Sequence, residues 1–126
     1  MESAMDFDTL SQWAGEEVGA VLATLPPELQ KPAKNCSITF EERPGRGLND
    51  DTLEGDELGL FEGPSLLDDA GAAADVSRVR LFLANLWEWV EQDEQAFRDE
   101  VGITLLHELG HYFGWEEHDL EERGLD

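Results

Sequence analysis

Three things are scarce in this sequence. It has one cysteine, Cys36, so no internal disulfide can form and a cytoplasmic setting is natural. It has 8 basic side chains against 30 acidic ones, a formal net charge of −22. That deficit excludes a non-specific nucleic-acid binder, which needs cations to replace the counterions on phosphate, and it disfavours an anionic membrane surface. It has no apolar run long enough to span a bilayer, and its start, Met1-Glu2-Ser3-Ala4-Met5-Asp6, lacks the basic-then-apolar order of a secretory signal. No internal repeat or linker is visible. At 126 residues, residues 1–126 are expected to form one domain. Hydrophobic residues at 40%, with four Trp and six Phe, suffice for a packed core and argue against wholesale disorder. Self-repulsion at this charge destabilises a compact state, and a multivalent cation bound inside would offset part of it.

Hydrophobic spacing supplies the elements. Phe7, Leu10, Ala14, Val18, Val21, Leu22 and Leu25 recur at three- and four-residue steps and predict a helix, stopped by Pro26-Pro27. Pro27 can open a short turn over residues 28–31. Residues 37–41 and 79–83 read as strands; residues 57–62, with their glycine and flanking acids, read as a short edge strand. Residues 43–54 and 65–75 read as loops, and residues 85–90 as a short helix. A long helix is expected over about residues 93–113, stopped by Gly114 in the place of a left-handed C-cap. Its apolar positions, Ala96, Phe97, Val101, Ile103, Leu105, Leu106, Leu109 and Phe113, cover most of its circumference, the mark of a buried helix.

That helix also carries His107, Glu108 and His111. Residues four apart lie about 40° apart on a helix, so the two imidazoles share a face and can grip one Zn²⁺. Glu108, a further 100° round, flanks a water on such an ion, where a general base is needed. In a shuffle of this composition the pattern His-Glu-x-x-His arises with probability ~1%, falling to ~0.02% once Gly114 and a following acid at residue 117 are required. A buried helix without metal would have to pair all these polar groups some other way. Catalytic zinc keeps three protein ligands. Glu117 is the favoured third, with Asp119 next and His118 last; Glu116 reads as solvated. Tyr112, beside the second histidine, reads as packing more readily than as an oxyanion donor.

The pattern His107-Glu108-x-x-His111-x-x-Gly114-x-x-Glu117 resembles the extended zincin motif in its acidic-ligand branch. From about Phe40 onward the chain is similar to the small bacterial zincin-like metallopeptidases, or minimal zincins. Leu58-Gly59-Leu60-Phe61-Glu62-Gly63 resembles that family's Leu-Gly-Leu-Tyr-Glu-Gly segment, and Arg80-Leu81-Phe82-Leu83 its strand before the active-site helix. The resemblance implies an α+β fold, a small mixed sheet packed against an N-terminal helix and an active-site helix. It differs in placing Glu117 where the family usually has Asp, although Asp119 matches the family's Asp-Leu pair just beyond. No Met-turn is expected, since Met1 and Met5 are both N-terminal, nor is a large subdomain expected after Gly114.

The expected function is zinc-dependent hydrolysis of a peptide or protein substrate by metal-activated water, with one zinc ion and Glu108 as proton carrier. Leu58, Gly59, Leu60 and Phe61 would hold an extended peptide by strand addition. The alternative is a metal-stabilised module without turnover that docks a basic partner. The sequence does not fix an oligomeric state, though Trp13, Trp87, Trp89 and Trp115 could leave apolar surface for a partner.

Overall fold

A computed structural model describes residues 6–44, 55–66 and 77–115. Its elements are α1 (Phe7–Thr24), α2 (Pro27–Ala33), β1 (Ser37–Glu41), β2 (Gly59–Glu62), β3 (Arg78–Phe82), α3 (Leu83–Trp89) and α4 (Glu94–Tyr112). This is the small α+β fold expected. The three-stranded mixed sheet has the order β1-β3-β2: β1 runs parallel to β3, and β2 pairs antiparallel with it. β2 therefore lies at an edge, as its glycine and acids suggested.

The helix ends follow local chemistry. The Asp6 carboxylate accepts from the Asp8 N–H at the start of α1, and the Asp93 carboxylate accepts from Ala96 N–H at the start of α4. Pro26-Pro27 ends α1, and Gln30 Nε2 donates to the carbonyls of Leu25 (2.7 Å) and Ala23 (3.3 Å), occupying acceptors that the helix end leaves open. The expected turn over residues 28–31 is a full short helix, α2. Pro32 sits near its end, where its ring removes only one late bond.

Alternation sorts the sheet into two faces. Val79 and Leu81, both fully buried, face the helices with Ile38, Phe40, Gly59 and Phe61. The opposite face carries Arg80, only 5% exposed, which joins all three strands. Its guanidinium makes a two-bond pair with Glu41 of β1 (2.7 and 2.8 Å), reaches Glu62 of β2 (3.1 Å), and lies 5.1 Å from the centre of the Phe82 ring.

The core lies between sheet and helices, with Leu10 and Ala14 of α1 against Phe97, Val101, Leu105 and Leu109 of α4. Where α1, α3 and α4 meet, Trp13, Trp87 and Phe97 stack at 5.7 to 6.1 Å between ring centres. Over that cluster Arg98 bridges Glu16 (2.8 Å), Glu17 (3.2 Å) and Glu94 (3.1 Å). Trp13 and Trp87 are thus structural, while Trp89 stands 67% exposed. Among the described residues no helix is long and apolar enough to cross a membrane.

Candidate metal and peptide site

The expectation that α4 is buried all round needs correction. Ile103 is 48% exposed and Leu106 half-buried. The buried stripe is Phe97, Val101, Leu105, Leu109 and Tyr112, with Phe113 buried just past the helix end; Ala96, Ile103 and Leu106 border surface on which His107, Glu108 and His111 lie half-buried. A full circumference of apolar residues overstates burial because only the arc covered by α1 and the sheet is packed.

On that surface the His107 and His111 rings sit 5.0 Å apart between centres and nearly perpendicular, at 81°. Two imidazoles sharing an ion at the usual 2.0–2.1 Å, and subtending a tetrahedral angle, have ring centres roughly 5 Å apart. The pair therefore fits a zinc ion, and two imidazoles with a carboxylate are a donor set that zinc accepts. Glu117, His118 and Asp119, the candidate third ligands, lie outside the described residues, as does Glu116. Among the described residues no three of His, Cys, Asp and Glu are gathered to hold a metal.

Behind the histidines the helix stops in a tight cap. Gly114 has φ +89°, its N–H reaches His111 carbonyl (3.0 Å), and Trp115 N–H reaches Gly110 carbonyl (2.9 Å). This paired closure needs a left-handed residue, which glycine supplies without strain, and it ends the helix before Trp115.

An open groove of about 310 Å³ runs beside the site. Glu57, Leu58 and Gly59 form one wall, and Glu100, Ile103, Thr104, His107 and Glu108 of α4 form the other. Gly59 explains how close the walls come. A β-carbon there would fall 2.7 Å from the Thr104 methyl, 3.2 Å from the Arg80 carbonyl oxygen and 3.3 Å from a Leu81 methyl. The strand can lie against α4 at this level only because the side chain is missing.

Register fixes what the edge offers. Phe82 N–H donates to Leu58 carbonyl (3.0 Å), continuing the pairing Leu60↔Arg80 and Glu62↔Arg78. Those residues turn their peptide groups toward β3, so Gly59 and Phe61 turn theirs to the outer edge, which no strand among the described residues pairs. Of the four residues expected to contact substrate, Leu58 and Gly59 line the groove. The Phe61 ring instead packs 5.9 Å from Tyr112, and the Leu60 side chain lies on the other face. Phe61 can serve through its backbone.

Tyr112 is 4% exposed and its hydroxyl donates to Pro32 carbonyl at 3.1 Å; burial raises its pKa. It is a packing residue, not an oxyanion donor. Its own carbonyl accepts from Leu66 N–H (2.8 Å), tying the chain after β2 to the end of α4.

Sequence reasoning missed Asn85, which is buried at the start of α3. Its Nδ2 donates to the carbonyls of Gly55 (2.9 Å) and Glu57 (2.8 Å), and its Oδ1 accepts from Arg43 (2.7 Å). Arg43 also pairs with Glu88 at 2.6 Å, which lowers the pKa of the Glu88 carboxyl. Asn85 thereby holds the segment entering β2. Nothing local marks it, since its partners lie 28 to 42 residues away. Ile103 and Glu100, by contrast, stand four and seven residues before His107, a spacing that places them on its side of the helix.

A histidine pair of this geometry, followed by a glycine cap and set beside a strand edge, has the layout of a zincin-like protein. The family model of zincin-like metallopeptidases matches residues 33–125, and the chain belongs to that family. No curated protein matches it.

Proposed function

We propose that this protein is a zinc-dependent peptidase whose centre is His107, Glu108 and His111. The reading rests chiefly on the 5.0 Å, near-perpendicular histidine pair beside a groove with an exposed strand edge, and membership of the family supports it. His107 and His111 would hold one zinc ion with Glu117 as third ligand, or Asp119 in its place. Zinc, when bound, lowers the pKa of a water toward ~7 and polarises a scissile carbonyl. Glu108 would take the proton of the attacking water and deliver it to the leaving amine. The peptide groups of Gly59 and Phe61 would align an extended substrate along β2. The net charge of −22 supports a peptide or protein substrate and opposes nucleic acid and anionic membrane as partners. Cys36 as a buried free thiol is consistent with a cytoplasmic setting.

Bound zinc and cleavage of a mixed peptide substrate, measured for the wild type and Glu108→Gln, test the proposal. The wild type is expected to carry one zinc and cut. Glu108→Gln should keep its zinc and lose on the order of 10²- to 10⁴-fold in rate, the usual contribution of a general base. Equal rates would remove Glu108 from the chemistry. Zinc without cleavage in either protein would leave a metal-stabilised binding module for a basic partner.

A further inference from the structure

The groove walls carry more than the proposed chemistry uses. Ile103, half exposed on α4, faces the same cavity as Leu58. Exposed large hydrophobics are few: among the described residues only Leu66, Trp89 and Ile103 stand out. Two carboxylates, Glu57 and Glu100, line that cavity together with Glu108. An apolar patch set between like charges suits an amphiphilic cation: its stem covers Leu58 and Ile103, and its charge meets the acids. An acidic peptide would bring like charge into the same space and be repelled.

We propose that this groove selects extended peptides with an apolar side chain two residues from a Lys or Arg, a spacing that puts both on one face, bound with the apolar group against Leu58 and Ile103 and the cation toward Glu57 and Glu100. The proposal deepens the peptidase reading and rests on it for the identity of the ligand as substrate. Helix and strand geometry set the positions. Ile103 precedes His107 by four residues, about 6 Å along the helix axis, and Glu100 precedes it by seven, about 10 Å. A paired strand advances about 3.4 Å per residue. For a peptide running along α4 the apolar residue then falls about two positions from the bond at the histidine pair, and the cation two residues beyond it, on the same face, with a stem long enough to reach Glu100. The open peptide groups of Gly59 and Phe61 impose the extended form that this count assumes.

The test is equilibrium binding, so that it does not depend on turnover. Full-length Glu108→Gln, supplied with zinc, is titrated against fluorescent hexapeptides by anisotropy. The peptides contain Leu-Ala-Lys, Gly-Ala-Lys or Leu-Ala-Glu at the same place, designated Leu-Lys, Gly-Lys and Leu-Glu by the two residues that share a face. Leu-Lys is expected to bind about tenfold tighter than Gly-Lys, with Leu-Glu weakest. Glu100→Lys, placed in the Glu108→Gln background, should erase the preference for Lys. Glu28→Lys, the same charge change at an exposed position on α2, should leave it within about twofold. Equal binding of Leu-Lys and Gly-Lys overturns the proposal, and so does an equal loss in Glu28→Lys, which would reduce the effect to overall charge. These peptide comparisons hold even if a variant fails to fold. Wild-type cleavage of the same peptides separates the two readings. Selective binding without cleavage sinks the peptidase and keeps the groove, whereas indiscriminate cleavage of all three sinks the groove and keeps the peptidase.

Discussion

Over its first turns α4 is fastened on several sides. Phe97 packs edge-on against Trp13 and Trp87, and Arg98 is held by Glu16, Glu17 and Glu94. Over its last turns the same helix keeps one buried stripe, Leu105 and Leu109, and gives its other side to a groove lined by His107 and Glu108, with His111 half-buried one turn on. One rod thus divides stability from chemistry. Its beginning is anchored by rings and ion pairs that reach α1 and α3, and its end is tied at Tyr112 to Pro32 and Leu66 while His107 and Glu108 face the groove beside β2. A site on a helix anchored this way holds its geometry without packing over the reacting groups.

The comparison breaks most readily at the anchored end. Phe97→Ala removes a fully buried ring from the three-helix junction and is expected to cost about 3–5 kcal/mol in urea unfolding. The zinc content of the folded fraction should not change. A loss of zinc affinity in still-folded protein would show that the two halves are coupled.

At the presented end the sharpest probe is Gly59→Ala. The added carbon meets Thr104, a stiff β-branched side chain, at 2.7 Å, so β2 must move off α4. A cost of about 1–3 kcal/mol is expected, the usual range for overpacking, with a raised KM for peptides. An unchanged KM would remove the strand edge from substrate binding.

The last expected effect is absent at neutral pH and appears only in alkali. Burial pushes the Cys36 thiol up from 9.0 to about 11. A raised folded-state value means the unfolded chain loses this proton first. The contribution of Cys36 is therefore complete below pH 9 and is lost as pH rises through about 11. Up to about 2–3 kcal/mol of stability should disappear across that window. Cys36→Ala should flatten this part of the profile, whereas an unaltered slope would assign it to other groups, Tyr112 first, whose raised pKa has the same sign.

How much of this was readable beforehand depended on the reach of each interaction. His107, Glu108 and His111 lie within five positions of one another, so helix periodicity alone put the two imidazoles on one face. Gly114 was equally plain, because its role is set by its own φ and two adjacent carbonyls. Strand existence was legible for residues 37–41, yet the parallel pairing of β1 with β3 joins residues about forty apart and no local pattern encodes it. The Arg80 junction was invisible for the same reason: Glu41 and Glu62 come from strands on either side of it. Ile103 misled, since an isoleucine in an apolar helix reads as core when the missing cover over that arc cannot be seen.

The most direct measurement is a zinc titration of metal-stripped protein, followed by calorimetry, with wild type, His107→Ala, His111→Ala and Glu108→Gln in parallel. One ion per chain is expected for the wild type and for Glu108→Gln, with affinity reduced at least about tenfold when either imidazole is removed. Undiminished zinc affinity in both histidine variants would contradict the account.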